Sequence, residues 1–342
     1  MTDRKIRTME EFAEVSGISR PTVSKYFNDP DSVRKTTRER IEVALEQYHF
    51  RPNIFAMNQN RKLTKNIGIV VPYLADPFFA EIARHLEERV IAAGYQPTLY
   101  SSHGDPKQEI EILDGLLSLK PAGVLLAPLG RASDRAEIEK FCRDVPTLLF
   151  DSNLDGIGQA FVGSDNFSFV TQTVEYLTRT GEPPSFFEMR TPANPNANKR
   201  RNAYIATMER LGYEPHVISI DGEGWAFEEI GKRGAMQVLA DKSLPTNAVL
   251  CSNDRLAIGF LAAAYQSGLR VGHGEGCALR IAGHDDHPWS QFTCPPLTTV
   301  SQDYTAIAER SVDLLFGLIE GARTEDRPEI LFDGKLVLRS SA

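Results

Sequence analysis

Four cysteines and two tryptophans in 342 residues make this a chain poor in both. Cys142, Cys251, Cys277 and Cys294 are scattered with no CxxC pair, which argues against a zinc site or disulfide framework and suits reduced, buried thiols. No apolar run is long enough to span a bilayer, and MTDRKIRTMEEF lacks the apolar centre of an export signal. A cytoplasmic protein with no membrane partner is therefore expected. A Walker-type loop is missing, because GHGEG at 272–276 has no following Lys-Ser/Thr. There is no GxSxG and no His/Cys/Asp trio with catalytic spacing, so no enzyme and no cofactor are expected. His284-Asp285-Asp286-His287 superficially suggests a metal cluster, but neighbours leaving a strand point in opposite directions and do not converge on one ion.

With 42% hydrophobic residues, the chain has enough apolar material for two or three domains. Its net charge of −8 hides an asymmetry: residues 1–65 carry +4 and the remainder −12. A basic head on an acidic body suggests that the head meets a polyanion.

The head reads as three short helices. Met9 to Ser16 forms the first, with Thr8 as N-cap and Glu11 at capping-box spacing. Gly17 breaks it, Ser19 caps a second helix with Pro21 in its first turn, and NDP ends that helix after about Phe27. A third begins at Thr36 or Thr37 and presents Ile41, Ala44, Leu45 and Tyr48 on one face. This is a helix-turn-helix arrangement. Ala13, Val15, Ile18 and Val23 are expected inside, leaving Arg20, Pro21, Thr22, Ser24 and Lys25 facing outward on the helix that would enter the major groove. Arg20 can fork onto a guanine, Lys25 can serve a base or a phosphate, and the Ser19, Thr22 and Ser24 hydroxyls suit phosphate oxygens.

These residues carry a resemblance. Met9, Ala13, Gly17, Ile18, Ser19, Thr22, Val23, Ser24, Lys25, Asn28, Val33, Thr37, Arg38, Arg40, Ile41, Ala44, Phe50, Pro52, Asn53 and Ala56 stand at the spacings of the DNA-binding head of the LacI/GalR family. The chain is similar to that family over residues 6–56. The DNA-contacting set so implied adds Thr8, Asn28 and Arg34 in the head and Asn53, Ala56, Met57 and Gln59 in the connector. In the family the connector becomes a helix on the operator and wedges the minor groove with leucines. Here the wedge position is Gln59, preceded by Met57 where the family has Arg, so altered bending of the DNA or a wedge from Met57 is expected.

From Asn66 onward, short apolar runs alternate with helical periods, which predicts parallel sheets covered on both faces. Ligands of such sheets sit outside the carboxyl ends of the strands. The polar and aromatic residues there are Asp76, Phe78, Phe79, Asp151, Ser152, Asp165, Asn253, Asp254, Asp285 and Gln302, joined by Arg200 and Trp225 from nearby loops and helix starts. Forks, carboxylates and amides beside aromatic rings suit a neutral polyhydroxylated ligand.

The body resembles the periplasmic-binding-protein-like core of the same family through Asp76-Pro77-Phe78-Phe79, Phe150-Asp151, Asp165-Asn166, Arg200, Trp225, Asn253-Asp254, Gly283-x-Asp285 and Leu297 to Gln302. The resemblance implies an α/β fold: an all-α helix-turn-helix head over 1–50, a hinge over 51–65, and a two-lobed core of doubly wound parallel sheets over 66–342. Lobe 1 would take about 66–165 plus 298–325, and lobe 2 about 166–297 plus 326–342. Asp76, Phe78, Phe79, Asp151, Ser152, Arg200, Trp225, Asn253, Asp285 and Gln302 would bind the ligand. The implied protein is a homodimeric transcriptional repressor on a pseudo-palindromic double-stranded DNA operator, controlled by a sugar or sugar derivative. A purine or nucleoside corepressor is the alternative, with a sugar-binding transport protein or a sugar-acting enzyme behind it. No metal is expected.

Overall fold

Helix α1 (Met9–Ser16) starts at a full capping box: the Glu11 amide donates to Thr8 Oγ1 at 3.2 Å, and Glu11 accepts from the Thr8 amide at 3.3 Å. Gly17 ends it with φ 65°. Helix α2 (Arg20–Asn28) is capped by Ser19, whose Oγ accepts from the Thr22 amide at 3.4 Å, and Pro21 sits in its first turn. A single 3₁₀ turn (Pro30–Ser32) leads to α3 (Lys35–Tyr48). That helix begins at Lys35, one residue before Thr36, and Arg34 takes the N-cap position without a side-chain bond. Phe12, Ile18, Val23, Ile41, Ala44 and Phe50 form the core of this head, with Phe12 stacked on Phe50 at 4.7 Å between centroids. Val15 was expected inside but is 43% exposed. The chain turns away at Gly17, and the last turn of α1 meets the Tyr48 hydroxyl, which donates to the Val15 carbonyl at 3.3 Å.

The structure is a computed structural model that describes residues 6–51, 64–321 and 327–342. It divides into two compact units, Met1–Thr64 and Lys65–Ala342.

The second unit holds two parallel sheets. Strands β1 (Asn66–Val71), β2 (Gln96–Ser101), β3 (Gly123–Leu126), β4 (Thr147–Phe150) and β5 (Ala160–Ser164) lie in the first, with α4 (Pro77–Ala92), α5 (Pro106–Leu119) and α6 (Arg135–Asp144) between them in sequence. The chain then crosses to α7 (Asn166–Thr180), β6 (Ser185–Met189), α8 (Ala197–Arg210), β7 (Val217–Ile220), α9 (Phe227–Ala240), β8 (Ala248–Cys251), α10 (Asp254–Gln266) and β9 (Arg280–Ala282). The second sheet runs β7-β6-β8-β9. Every residue of β3, β4, β6, β8 and β9 is buried, as strands covered on both faces require.

The final segments alternate between lobes more often than the sequence reading allowed. Strand β10 (Thr299–Ser301), expected in the first lobe, belongs with the second: Thr298 bridges Ala282 and Ser301 bridges Asp285. Helix α11 (Tyr304–Ile319) then packs against β3, β4 and β5. Strand β11 (Glu329–Phe332), expected in the second lobe, pairs in parallel with β5 and completes the first sheet in the order β11-β5-β4-β3-β1-β2. The backbone groups along the open edge of β5 need a hydrogen-bonding partner, and β11 supplies it. Strand β12 (Lys335–Val337) returns to the second lobe, antiparallel to β10. The lobes are thus joined by three crossovers, after β5, after β10 and after β11.

Helices α9 and α10 approach backbone to backbone. A Cβ added to Gly231 would lie 2.7 Å from the Leu256 carbonyl oxygen, and one on Gly259 would overlap the Glu228 carbonyl. This close packing fixes the start of α10 at the cleft.

Candidate functional site

The ends of the strands put a polar cluster between the lobes. Asp151 follows β4, and its carboxylate and carbonyl both accept from Asn196 Nδ2, at 2.8 and 3.1 Å. Asn196 stands at the N-cap position of α8 but makes no capping bond, because its side chain reaches across to Asp151. Arg200, one turn into α8, is 2% exposed. Its Nη2 donates to Asp285 Oδ1 at 2.6 Å, its Nη1 to Ser252 O at 2.8 Å, and its Nε to Asn166 Oδ1 at 2.8 Å. Gln302 Nε2 donates to the same Asp285 oxygen at 2.8 Å, while Gln302 Oε1 accepts from Ser164 Oγ at 2.5 Å. Asn166, Ser164 and Gln302 lie at two of the three crossovers, so this network sits where the lobes are hinged.

Its backbone is strained in the same places. Asp151 has φ 59°, Asp285 φ 109° and Asp286 φ 49°, a region that non-glycine residues rarely enter. Gly283 admits the close approach of Asp254: a Cβ there would overlap Asp254 Oδ1. Asp254 in turn accepts from Ser290 Oγ at 2.5 Å, Thr299 Oγ1 at 2.6 Å and the His287 amide at 3.0 Å, which fixes the loop carrying Asp285.

Burial dominates the electrostatics. It pushes the Asp151 carboxyl up to about 7, against the pull of Lys199 and Arg200. Asp254 rises to about 6 for the same reason, against His287. Burial, then the Arg200 charge, depresses His284 to about 3, and its Nδ1 lies 3.2 Å from the Cys251 carbonyl oxygen. Asp151 Oδ2 and both ring nitrogens of His287 are buried without a hydrogen-bond partner among the described residues. Such atoms in a folded interior ask for a function.

The remaining predicted ligand residues divide by their contacts. Asp76 caps α4 through the Phe78 amide at 3.0 Å and also accepts from Arg255 Nη1 at 3.0 Å. Phe78 packs near Tyr304, with centroids 5.6 Å apart, and Phe79 is 1% exposed, edge-on to Trp225 at 6.0 Å. Trp225 lies flat on Tyr73 at 5.1 Å and helps line a cavity of about 830 Å³ that also touches Ser152. Asn253 uses its Oδ1 to cap α10, accepting from Leu256 N at 2.8 Å. The structure thus joins Arg200, Asp285 and Gln302 directly, sets Ser152 and Trp225 on the cavity, and engages Asp76 and Asn253 in caps.

On the head, Pro21 and Lys25 are exposed, and Thr22 and Ser24 are half-buried. Arg20 is exposed and pairs with Glu10 at 2.6 Å. The Ser19 and Thr22 hydroxyls lie 2.7 Å apart, and Thr8 Oγ1 is engaged in its capping box. Arg34 is exposed at the start of α3, and Asn28 closes α2. Asn53, Ala56, Met57 and Gln59 lie outside the described residues.

Comparison with known proteins places both units. Residues 8–53 match the family of bacterial regulatory proteins, lacI family, and residues 174–342 match the periplasmic binding protein-like domain. The HTH-type transcriptional repressor CytR of Escherichia coli (strain K12) is 29% identical over 335 residues, covering 98% of this chain and 96% of that protein. The chain belongs to the LacI family. The ribose operon repressor of the same organism is 27% identical, over 90% of this chain and 92% of the other. A lac repressor dimer bound to operator and the anti-inducer ONPF superposes with a TM-score of 0.82 at 26% identity, covering 97% of each chain. This LacI-family chain is accordingly a DNA-binding transcriptional regulator under small-ligand control, and its relatives are regulators rather than enzymes.

Sequence reasoning missed Asn196, Arg255, Tyr73 and Tyr304. Tyr304 donates its hydroxyl to the Asp285 carbonyl at 2.9 Å. Tyr73 had a signal, since it follows β1 just as Asp151 follows β4. Arg255 had one too, standing directly after Asn253-Asp254 at the start of α10. Nothing local marks Asn196 among the polar residues of TPANPNAN; its role follows from a partner 45 positions away.

Proposed function

We propose that this regulator is a cytoplasmic repressor that binds a pseudo-palindromic operator as a homodimer and is controlled by a sugar held between its two lobes. The observation carrying the effector reading is the buried Arg200–Asp285–Gln302 network, beside two aspartates strained into positive φ. A bidentate guanidinium–carboxylate pair flanked by an amide exchanges donors and acceptors readily with vicinal hydroxyls. The rings of Trp225 and Phe78 offer apolar faces for sugar C–H groups. Because the network straddles two crossovers, a ligand there has different contacts in the open and closed arrangements, which is the condition for allosteric control. Tyr265, Trp289 and Phe292, exposed at 82%, 57% and 75% on the second lobe, support a dimer that covers apolar surface there.

A nucleoside is the second reading, favoured by the stacked faces of Tyr73 and Trp225. Calorimetric titration of the full chain with pentoses, hexoses, polyols and nucleosides tests both. A sugar should bind, shift operator affinity in a mobility assay, and lose its binding in Asp285→Asn. If only a purine nucleoside binds, the sugar assignment is wrong.

A further inference from the structure

We infer that the effector carries an anionic group, a phosphate or a carboxylate, and that Arg131, Arg135, Arg190 and Lys199 receive it at the mouth of the cavity. This rests on the reading of Arg200 and Asp285 as the polyol site and extends it outward.

Those four cations line the cavity of about 830 Å³, against a single lining carboxylate among the described residues, Asp155. Their charge is poorly neutralised. Arg135 Nη2 donates to the Asp155 backbone carbonyl at 2.7 Å, not to its carboxylate. Arg190 meets Asp221 at 2.9 Å, but both are well exposed, and such a pair is readily exchanged for a ligand. Arg131 and Lys199 make no ion pair among the described residues. Lys199 precedes Arg200 on α8, so one helix offers a buried fork to Asp285 and an exposed ammonium to the mouth.

The setting makes this local sign informative. Residues 66–342 carry a net charge of −12, so their general field repels anions, and the mouth reverses it. Behind that lining the balance shifts: Asp76, Asp151, Asp254 and Asp285 are buried against Arg200 and Arg255, none of them lining the cavity itself. An anionic sugar is therefore oriented, with its hydroxyls inward and its charge outward. Arg131 and Arg135 come from the first lobe, Arg190 and Lys199 from the second, so one anion between them would draw the lobes together. Arginine forks match phosphate and carboxylate oxygens bidentately.

The test is calorimetric titration of the full chain at low and high salt. The probes are D-ribose, D-ribose 5-phosphate, D-glucose, D-glucose 6-phosphate, D-gluconate, D-glucuronate and inorganic phosphate. We expect at least one anionic sugar to bind about tenfold or more tightly than its neutral parent. The advantage should shrink with added salt, and the ratio should fall towards one in the Arg131→Gln/Lys199→Gln double variant. Preference for the esters identifies a phosphate, and preference for the acids a carboxylate. A neutral sugar that binds as tightly as its anionic forms overturns this inference and leaves the polyol site intact. Failure of every sugar to bind overturns the polyol site itself, and this inference with it.

Discussion

Arg255 on α10 reaches across the cleft to Asp76 at the start of α4, its Nη1 lying 3.0 Å from Asp76 Oδ2. The same guanidinium holds both oxygens of Glu228, at 2.7 Å each, and lies over the Phe227 ring. One side chain thus ties the two lobes together. Replacing it by methionine strands a buried carboxylate, which costs about 3–5 kcal/mol when one partner of such a pair is removed. Urea unfolding should show a loss of that order in Arg255→Met and partial recovery in Arg255→Met/Asp76→Asn. An unchanged midpoint in the single variant would mean that the lobes hold together without this tie.

On the head, Arg20 is committed to Glu10 in the free protein. The pair is exposed and weak, so binding DNA costs little to break it. Arg20→Ala should lower operator affinity by about 1–3 kcal/mol and relax the preference at one base pair. Lys25→Ala should weaken binding; if Lys25 serves a phosphate, the slope of log affinity against log salt falls by about one. Quantitative footprinting over a salt series separates the two, and an Arg20→Ala variant that keeps its base preference would contradict the role given to Arg20.

The pH dependence of stability carries a signature of Asp151. Its carboxyl is raised from 3.8 to about 7 by burial, so between those values the folded protein holds a proton that the unfolded chain has lost. The contribution of this group therefore favours folding at the acid end and is lost as pH rises through about 7. His284, depressed to about 3, acts in the reverse sense, with its contribution lost as pH falls below about 6. Asp151→Asn should flatten the decline between about pH 5 and 7 in chemical-denaturation midpoints. A wild-type decline that persists in the variant would reassign it to Asp254, whose carboxyl is raised to about 6.

The two tryptophans make a convenient optical pair. Trp225 is 8% exposed on the cavity wall, and Trp289 is 57% exposed on the second lobe. In Trp289→Phe the remaining emission should be blue-shifted and should change in intensity with saturating effector. In Trp225→Phe that response should vanish. An effector response carried by Trp289 alone would place the binding event elsewhere.

The alternation of strands and helices was legible because period and length carry it. The helix-turn-helix was legible because caps, a glycine stop and a proline in the first turn are local signals. Asp285 stood out as a polar residue at a strand end and Arg200 as one opening a helix, and the fold brings them together. The last fifty residues were misread in detail because strands of three or four residues leave no periodicity, and the edge that β11 joins is decided by tertiary pairing. Asn253 illustrates the opposite ambiguity: a polar residue at a strand end is also the N-cap of the next helix, and here its Oδ1 serves the cap.

The second crossover, which returns the chain to the first lobe, gives synthesis of this protein an unusual order. When β5 leaves the ribosome, the first lobe still lacks an edge strand that will not be translated until residues 329–332. Through the making of the entire second sheet, the nascent chain must keep the flank of β5 unpaired, an opening through which strands of neighbouring chains can add. Helix α11, which covers β3, β4 and β5, is also made only after the second sheet, so a chaperone that shields this unfinished flank should raise the yield more than one that acts after release.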